Sequence, residues 1–287
     1  MIKLFGIIFV ASCVFGGFVL AGGKLVVLWQ PIEFLIILGS AAGGYLIANS
    51  PHTLKVTGSK VGAMFKAPKY QKEHFLELLT LLFAVFKTAR TKGWLALEKH
   101  IEEPGESDLF NQFPGFQKDH HAVTFLCDYL RIISLGAENP HELEALIDQE
   151  LEVQKEEREH VSHAVQNLAD GVPALGIVAA VLGVILTMGS ISEPPEVLGK
   201  LIGAALVGTF AGVFFAYGFF GPMANALGAR EEEEMQYYIC MKVSLLAFLQ
   251  GAAPQVAIEF GRKVLGHEVQ PTFLEVEEAT QNVTLPG

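Results

Sequence analysis

The chain of 287 residues is rich in apolar side chains. Hydrophobic residues make up 51% and charged residues 18%, and the mean hydropathy is +0.39. A typical soluble domain has about 25% charged residues. Four stretches together contain just two charged residues, Lys3 and Glu33. These stretches are residues 2–21, 31–49, 171–191 and 201–224. This segregation excludes a wholly soluble globular protein and a disordered or collagen-like chain. It predicts a membrane protein with a large aqueous part.

The first two apolar stretches are separated by a short loop, as are the last two. Each stretch has about the 20 residues that a helix needs to cross a hydrocarbon core of roughly 30 Å, and the sequence shows none of the alternating segments of a membrane β-barrel. We expect an all-α integral membrane protein with four transmembrane helices and a helical cytoplasmic domain. The N-terminus resembles a secretory signal, but its apolar run exceeds the usual length of about 7–15 residues. We therefore expect an uncleaved first span.

Basic residues near the span ends predict the orientation. A cluster follows the second span and comprises Lys55, Lys60, Lys66, Lys69 and Lys72. Because short cytoplasmic loops are enriched in Lys and Arg, both termini and the long insert are expected in the cytoplasm, and the two short loops outside. The expected topology is therefore multi-pass, with both termini on the cytoplasmic side.

The aqueous part has helical patterns at residues 73–92 and 119–135, and a long charged helix is predicted from Pro140 directly into the third span. The expected division is residues 1–49 with the first two spans and 50–169 as a helical cytoplasmic domain. Residues 170–224 hold the last two spans, and 225–287 form a cytoplasmic helical segment with a loose acidic tail beyond Pro271.

Little in the sequence supports an enzymatic or a metal-binding function. The sequence contains no GxSxG, P-loop, GxGxxG or HExxH motif. The pair His120 and His121 and the pair His160 and His163 lack a third ligand, so we expect neither a metal nor a cofactor. Three cysteines without CxxC spacing suggest no disulfide. The net charge of −11 disfavours nucleic-acid binding.

The spans carry small, hydroxyl and proline residues. Small residues at helical spacing are typical of tight helix packing in lipid; they are Gly39, Ser40, Gly43, Gly44, Gly176, Ala180, Gly183, Gly208, Gly212 and Ala216. The hydroxyls of Thr187, Ser190, Thr209 and Tyr217 either bond within and between helices or edge a polar path. Pro173 and Pro222 lie at the cytoplasmic ends of the third and fourth spans. Pro173 is a candidate hinge, although it is also compatible with a plain helix start.

No ionisable residue lies midway in any span. Glu33 is near the outer end of the second span and Asp170 at the inner end of the third. Because buried ionisable residues mark ion paths, an ion-conducting role would require a carboxylate from another chain. Otherwise the protein is an anchor or scaffold.

Long strings then resemble a known family. The similar strings are GGF and AGG in the first span, QPIEFLIILG in the second, ADGVPALGIVAAVLGVILTMGSI in the third and EPPEVLGKLIGAALVGTFAGVFFAYGFFGPM in the fourth. In all four spans the sequence thus resembles the MotA family of flagellar stator subunits. The resemblance implies a homo-oligomeric ring, expected to be a pentamer around a MotB dimer that supplies the ion-carrying aspartate. It also implies torque on the rotor protein FliG.

The resemblance also assigns residues. It implies Pro173 and Pro222 for conformational coupling, Arg90 and Glu98 for the rotor interface, and Ala180 and Thr209 for the ion path, where Tyr217 is a further candidate. Sodium-driven relatives tend to carry a hydroxyl residue at the position of Ala180, so protons are favoured. The alternatives are an energiser of outer-membrane processes of the ExbB or TolQ type and a non-conducting membrane scaffold.

Overall fold

Helices account for all the regular structure that a computed structural model describes, over residues 2–137 and 139–284. They are α1 (Ile2–Leu20), α2 (Leu25–Leu28), α3 (Pro31–Ala48), α4 (Pro51–Ala63), α5 (Lys72–Lys92), α6 (Glu98–Glu102), α7 (Pro114–Gln117), α8 (His120–Ser134), α9 (Pro140–Gly189), α10 (Pro195–Phe215), α11 (Gly221–Leu249), α12 (Pro254–Lys263) and α13 (Phe273–Gln281). Short 3-10 turns lie at Trp94–Leu97, Pro104–Glu106 and Phe110–Gln112. The all-α prediction is confirmed.

Four helical segments of the described chain are long and apolar enough to cross a membrane. They are Ile2–Leu20, Leu25–Ala48 and the apolar portions of Pro140–Gly189 and Pro195–Leu249. Helix α1 buries none of its side chains within the chain. A helix that is apolar on all sides and unburied within its own chain is suited to contact with lipid or with other subunits. The prediction of four spans is confirmed on length and composition.

Helix α9 runs without a break for 50 residues. Its first turn begins with Pro140, whose fixed φ suits that position, and the side chain of Asn139 accepts a hydrogen bond from the His141 N–H (3.1 Å). The charged half therefore continues directly into the third apolar stretch, as predicted. Pro173 lies inside this helix, where it removes one backbone hydrogen bond.

A π-helical turn, Ala216–Phe220, joins α10 to α11. It immediately precedes Pro222, whose ring nitrogen cannot donate a hydrogen bond to the preceding turn. A wider turn accommodates such an interruption while the helix continues. The apolar pattern of the sequence places Pro222 at the end of a span but does not predict this turn.

The chain divides into two compact units. The first comprises the described residues of 1–67 and 156–230, with the four apolar segments; the second comprises those of 68–155 and 231–287. In the first unit, α3, α9, α10 and the π turn share an apolar cluster of Ile37, Ala41, Val172, Ala179, Ala211 and Ala216.

Helix α5 forms the centre of the second unit. Side chains on nearly all its sides are buried, including Leu78, Leu79, Leu81 and Leu82 at 0% exposure. An apolar surface on every side is typical of a helix enclosed by others, and α12, α13 and α7 surround it. The helix predicted at residues 73–92 is therefore the buried centre of this unit.

The C-terminal segment differs from the prediction. The expectation of a loose tail beyond Pro271 is wrong for the described residues, because Phe273–Gln281 is helical. The Thr272 hydroxyl accepts a hydrogen bond from the Glu275 N–H, the Glu275 carboxylate accepts one from the Thr272 N–H, and Lys72 binds that carboxylate at 2.7 Å. The Lys72 hydrogen bond, followed by those from Thr272, lowers the pKa of Glu275 to about 2. The T-x-x-E spacing of this capping box was the missed signal.

Asp119 joins the start of α8 to the segment before α5. Its carboxylate accepts hydrogen bonds from Lys69 Nζ (2.8 Å), Tyr70 Oη (2.6 Å) and the Ala122 N–H (3.4 Å). Burial opposes ionisation, but these hydrogen bonds and the Lys69 charge outweigh it and hold the pKa of Asp119 below its ordinary value. The ionised carboxylate therefore stabilises the folded unit.

We predict that Asp119→Asn lowers the melting temperature at neutral pH, since the uncharged amide loses the interaction with Lys69. Because the folded pKa of Asp119 is depressed, its contribution is complete above the unfolded pKa of about 3.8 and disappears as pH falls through the folded pKa. Thermal unfolding of both proteins from pH 7 to pH 2 should show a constant difference in melting temperature down to about pH 3.8 and convergence below it. A constant difference across this range would contradict the assignment.

Candidate functional site in the membrane segments and on the second unit

Glycines bring α9 and α10 into backbone contact. A methyl group on Gly176 would lie 2.8 Å from the Gly208 carbonyl oxygen and 2.9 Å from Gly212 Cα, and one on Gly183 would lie 2.7 Å from Ala205 Cβ. No side chain fits at these distances without moving the backbone. The prediction of tight small-residue packing is confirmed for these helices.

The small residues of α3 behave differently. A methyl group on Gly43 or Gly44 would meet nothing within 4 Å, and one on Gly39 would meet only the Leu35 side chain at 3.7 Å. This part of the predicted pattern therefore has no close packing partner within the described chain.

Ala180 and Thr209 lie along the glycine contact. A methyl group on Gly208, next to Thr209 in the chain, would lie 3.1 Å from the Ala180 backbone nitrogen, so the structure brings these two predicted ion-path positions to the same level. Both are half-buried. In contrast, Thr187 donates to the Gly183 carbonyl (2.8 Å), which is the intrahelical alternative considered for the hydroxyls.

The remaining predicted membrane residues are more exposed. The Tyr217 side chain, in the π turn, is 70% exposed, and Pro222 is exposed one turn later. Pro173 is half-buried within α9. The structure does not enclose Tyr217 within this chain, so its place in an ion path stays a prediction, as do the coupling roles of the two prolines.

The two acidic candidates of the spans have different surroundings. Asp170 is exposed and accepts a hydrogen bond from Gln166 (2.8 Å). Glu33 is buried at 9% exposure, and its Oε2 has no hydrogen-bond partner among the described residues. The sequence located Glu33 correctly in the first turn of a span, but it gave no sign that the side chain is enclosed.

Arg90 and Glu98 lie close in the chain on the second unit. Arg90 is in the last turn of α5 and donates to the Ala252 carbonyl (3.1 Å), whereas Glu98 is the first residue of α6. Both side chains are exposed, as a residue that contacts a partner protein must be. Gly93, with φ of 82°, ends α5 between them.

Aromatic packing fixes the segment between these charges. Trp94 packs edge-on against Phe248, with ring centroids 5.7 Å apart, and Phe248 stacks on Phe86 at 4.6 Å. Leu97 is 1% exposed. Arg90 and Glu98 are therefore presented from an anchored segment rather than from a loose loop. The sequence identified the charges but not this anchor.

The histidine candidates gain no metal-binding support. The described residues contain no group of three or more His, Cys, Asp and Glu side chains that could hold a metal ion. His160 and His163 instead border a cavity of about 550 Å³ in the first unit, together with Ser40, Tyr45 and Asn49. The three cysteines of the chain are free thiols.

The glycine contact yields a prediction. Gly212→Ala should weaken the packing of α9 on α10, because its methyl group would lie 2.8 Å from Gly176 Cα and 3.1 Å from the Val172 carbonyl oxygen. We expect a loss of roughly 1–3 kcal/mol in stability, measured by thermal unfolding in detergent. Gly203→Ala on the same helix, where nothing lies within 4 Å, is the control. Equal stability of the two variants would contradict the contact.

Comparison with known proteins gives a consistent result. The family model for the motility protein A N-terminal region matches residues 4–93, and that of the MotA/TolQ/ExbB proton channel family matches residues 118–239. The chain is 40% identical to motility protein A of Escherichia coli, over 100% of this chain and 97% of that protein. It is also 40% identical to chemotaxis protein LafT of Vibrio parahaemolyticus, over 97% and 98%.

Solved structures have the same fold. The flagellar MotAB stator complex of Bacillus subtilis contains a chain that aligns with a TM-score of 0.71 and 27% identity, covering 89% of this chain and 92% of that one. A chain of C. jejuni MotAB aligns with a TM-score of 0.74 at 22% identity, covering 92% and 95%. On the strength of the full-length identities, the chain belongs to the motility protein A family, within the MotA/TolQ/ExbB proton channel proteins.

Proposed function

We propose that the chain is the larger membrane subunit of a flagellar motor stator, which couples ion flow to torque on the rotor. The observation that carries this proposal is 40% identity over the whole chain to motility protein A. The protein is then a non-enzymatic transport and motor subunit. The match of residues 4–93 to a model specific to motility protein A favours a stator over an ExbB- or TolQ-type energiser.

The ion path requires a second polypeptide. The apolar portions of α9 and α10 contain no Asp, Glu, Lys, Arg or His between residues 171 and 191 or between 201 and 224. A group that binds and releases an ion in mid-membrane must therefore come from a MotB-type subunit with an aspartate in its single span. The known complexes of similar fold are described as MotAB assemblies.

The assembly is a ring of this chain, five copies around a dimer of the MotB-type partner. The apolar side chains that α1 and α3 leave exposed support a membrane-embedded oligomer, since Ile2, Leu20 and Ile47 are 87–90% exposed in the single chain. The lysine cluster after α3 supports an inner-membrane location with both termini in the cytoplasm and the short loops outside.

Ala180, Thr209 and Tyr217 line the ion path, and the coupling ion is the proton. The level shared by Ala180 and Thr209 supports a common path along α9 and α10. The family resemblance supports the proton, because sodium-driven relatives tend to carry a hydroxyl residue at the position of Ala180. Protons need only a carboxylate that binds and releases them.

Pro173 and Pro222 couple the path to motion. Each proton that crosses the membrane delivers about 2.3 kcal/mol per 100 mV, comparable to the difference between two helix packings. A proline weakens the hydrogen-bond ladder where it interrupts a helix. Pro173 does so within α9, and Pro222 follows the π turn, so bending is easiest there.

Arg90 and Glu98 engage a FliG-type rotor protein. Their exposure on an anchored segment supports this role, because a rigidly held charge transmits force to a charged partner without first being ordered. Electrostatic complementarity chiefly gives orientation and association rate, and it weakens with salt.

The coupling ion gives the first test. In a strain lacking its own stator, this chain with its MotB-type partner should restore swimming. Swimming should stop when the proton gradient is collapsed and continue when the sodium gradient is removed. Swimming that follows sodium would refute proton coupling, and no restoration would refute the stator function.

Pro173→Ala supplies the matched variant for this test. It should insert into the membrane and assemble with the partner at near wild-type levels while abolishing swimming, because it restores the hydrogen bond that the proline removes. Loss of insertion would instead show that Pro173 serves folding.

The rotor contact gives a second test. Arg90→Glu should impair swimming while leaving proton leak through the complex unchanged, because the substitution lies on the second unit, outside the spans. Swimming assays and internal pH measurements separate the two effects. Lys118→Glu, at an exposed position of the same unit, controls for the charge change itself. Equal impairment by both variants would remove Arg90 from the interface.

A further inference from the structure

Glu33 occupies an enclosed position that the proposed ion path does not yet use. It is the third residue of α3, and its 9% exposure makes it the one strongly buried acid of the described apolar segments. Its Oε2 has no hydrogen-bond partner among the described residues. Burying a carboxylate without a hydrogen-bond donor or a cation costs free energy. The enclosed position of Glu33 therefore requires an explanation.

Two glycines form the space around this carboxyl group. A methyl group on Gly208 would lie 3.0 Å from Glu33 Oε2, and one on Gly183 would lie 3.4 Å from Glu33 Oε1. Gly183 is on α9 and Gly208 on α10, so the carboxyl group lies where those helices face each other. The glycines leave the room that the carboxyl group fills.

A role in helix capping does not account for this geometry. An acid in the first turn of a helix is favourable when its carboxylate faces the free N–H groups there. Glu33 Oε2 makes no hydrogen bond to the first turn of α3 or to any other described residue, and the carboxyl group lies against two other helices instead. A packing role would be met equally well by an apolar side chain of similar size, at no desolvation cost.

The position of Glu33 relates it to the candidate ion path. Gly208, which borders Oε2, precedes Thr209 in the chain, and a methyl group on it would lie 3.1 Å from the Ala180 nitrogen. Ala180 and Thr209 are the path positions proposed above. Glu33 reaches them from the end of α3 that adjoins the outer loop, so it lies between that loop and the level of Ala180.

We propose that Glu33 is a proton-binding residue at the outer part of the ion path. A proton from the outer side forms an O–H bond at Oε2, and this bond breaks when the proton moves on toward the partner's carboxylate, so that Glu33 returns to its starting state. The bound proton removes the cost of an isolated charge, which explains why an acid persists without an ion-pair partner. This inference rests on the stator function proposed above.

Three substitutions test it in the complemented strain with the MotB-type partner present. Glu33→Gln and Glu33→Met keep the size of the side chain but cannot exchange a carboxyl proton, whereas Glu33→Asp keeps the carboxyl group on a shorter side chain. Glu196→Gln is the matched control, because Glu196 is exposed in the first turn of α10. Swimming speed, proton uptake by inverted membrane vesicles, and the amount of assembled complex are measured for each variant.

We expect Glu33→Gln and Glu33→Met to assemble normally and to lose swimming and proton uptake. Glu33→Asp should retain more of both, and Glu196→Gln should match the wild type. Wild-type swimming of Glu33→Gln or Glu33→Met would overturn the proposal. So would a loss of assembled complex in all three variants at position 33, which would assign Glu33 to folding, or activity of Glu33→Asp no higher than that of Glu33→Gln. Failure of the wild-type chain to restore swimming at all would instead refute the stator function.

Discussion

Backbone contact between α9 and α10 is the constraint on which the membrane part of the structure depends. Without water, helices in lipid associate through close packing rather than through the hydrophobic effect. Gly176, Gly183, Gly208 and Gly212 allow that approach. The same contact sets Ala180 beside the turn of Thr209 and creates the space in which the Glu33 carboxyl group lies. Helix packing and the proposed ion path therefore involve the same few positions.

The second unit is stabilised differently. Its centre is α5, enclosed on nearly all sides by apolar and aromatic side chains, and polar contacts such as those of Asp119 and Glu275 fix the ends of its helices. Stable packing there allows a short segment between Arg90 and Glu98 to present charges to solvent in a fixed geometry. The proposed proton binding and the proposed rotor contact need different surroundings, which the two units each offer.

Periodicity and composition predicted the helical class, the four apolar segments, α5, α8 and the unbroken α9, because these features depend on local patterns of apolar residues. The π turn before Pro222 was missed, since a proline in an apolar run is equally compatible with a helix end. Helix α13 was missed because acidic, turn-rich composition outweighed a capping box at Thr272 and Glu275. The enclosure of Glu33 depends on glycines 150 and 175 residues later in the chain, a relation that no local pattern contains. The expected domain boundaries and the roles of Arg90, Glu98, Pro173, Pro222, Ala180, Thr209 and Tyr217 stay predictions.

The unbroken α9 has a mechanical consequence. At 1.5 Å per residue its 50 residues form a rod of about 75 Å. A loop would absorb twisting or sliding within a few bonds, whereas a hydrogen-bonded rod carries it along its length. Work done at the apolar end can thus reach the charged end in a single covalent element, with Pro173 as the one place in the rod where a backbone hydrogen bond is removed.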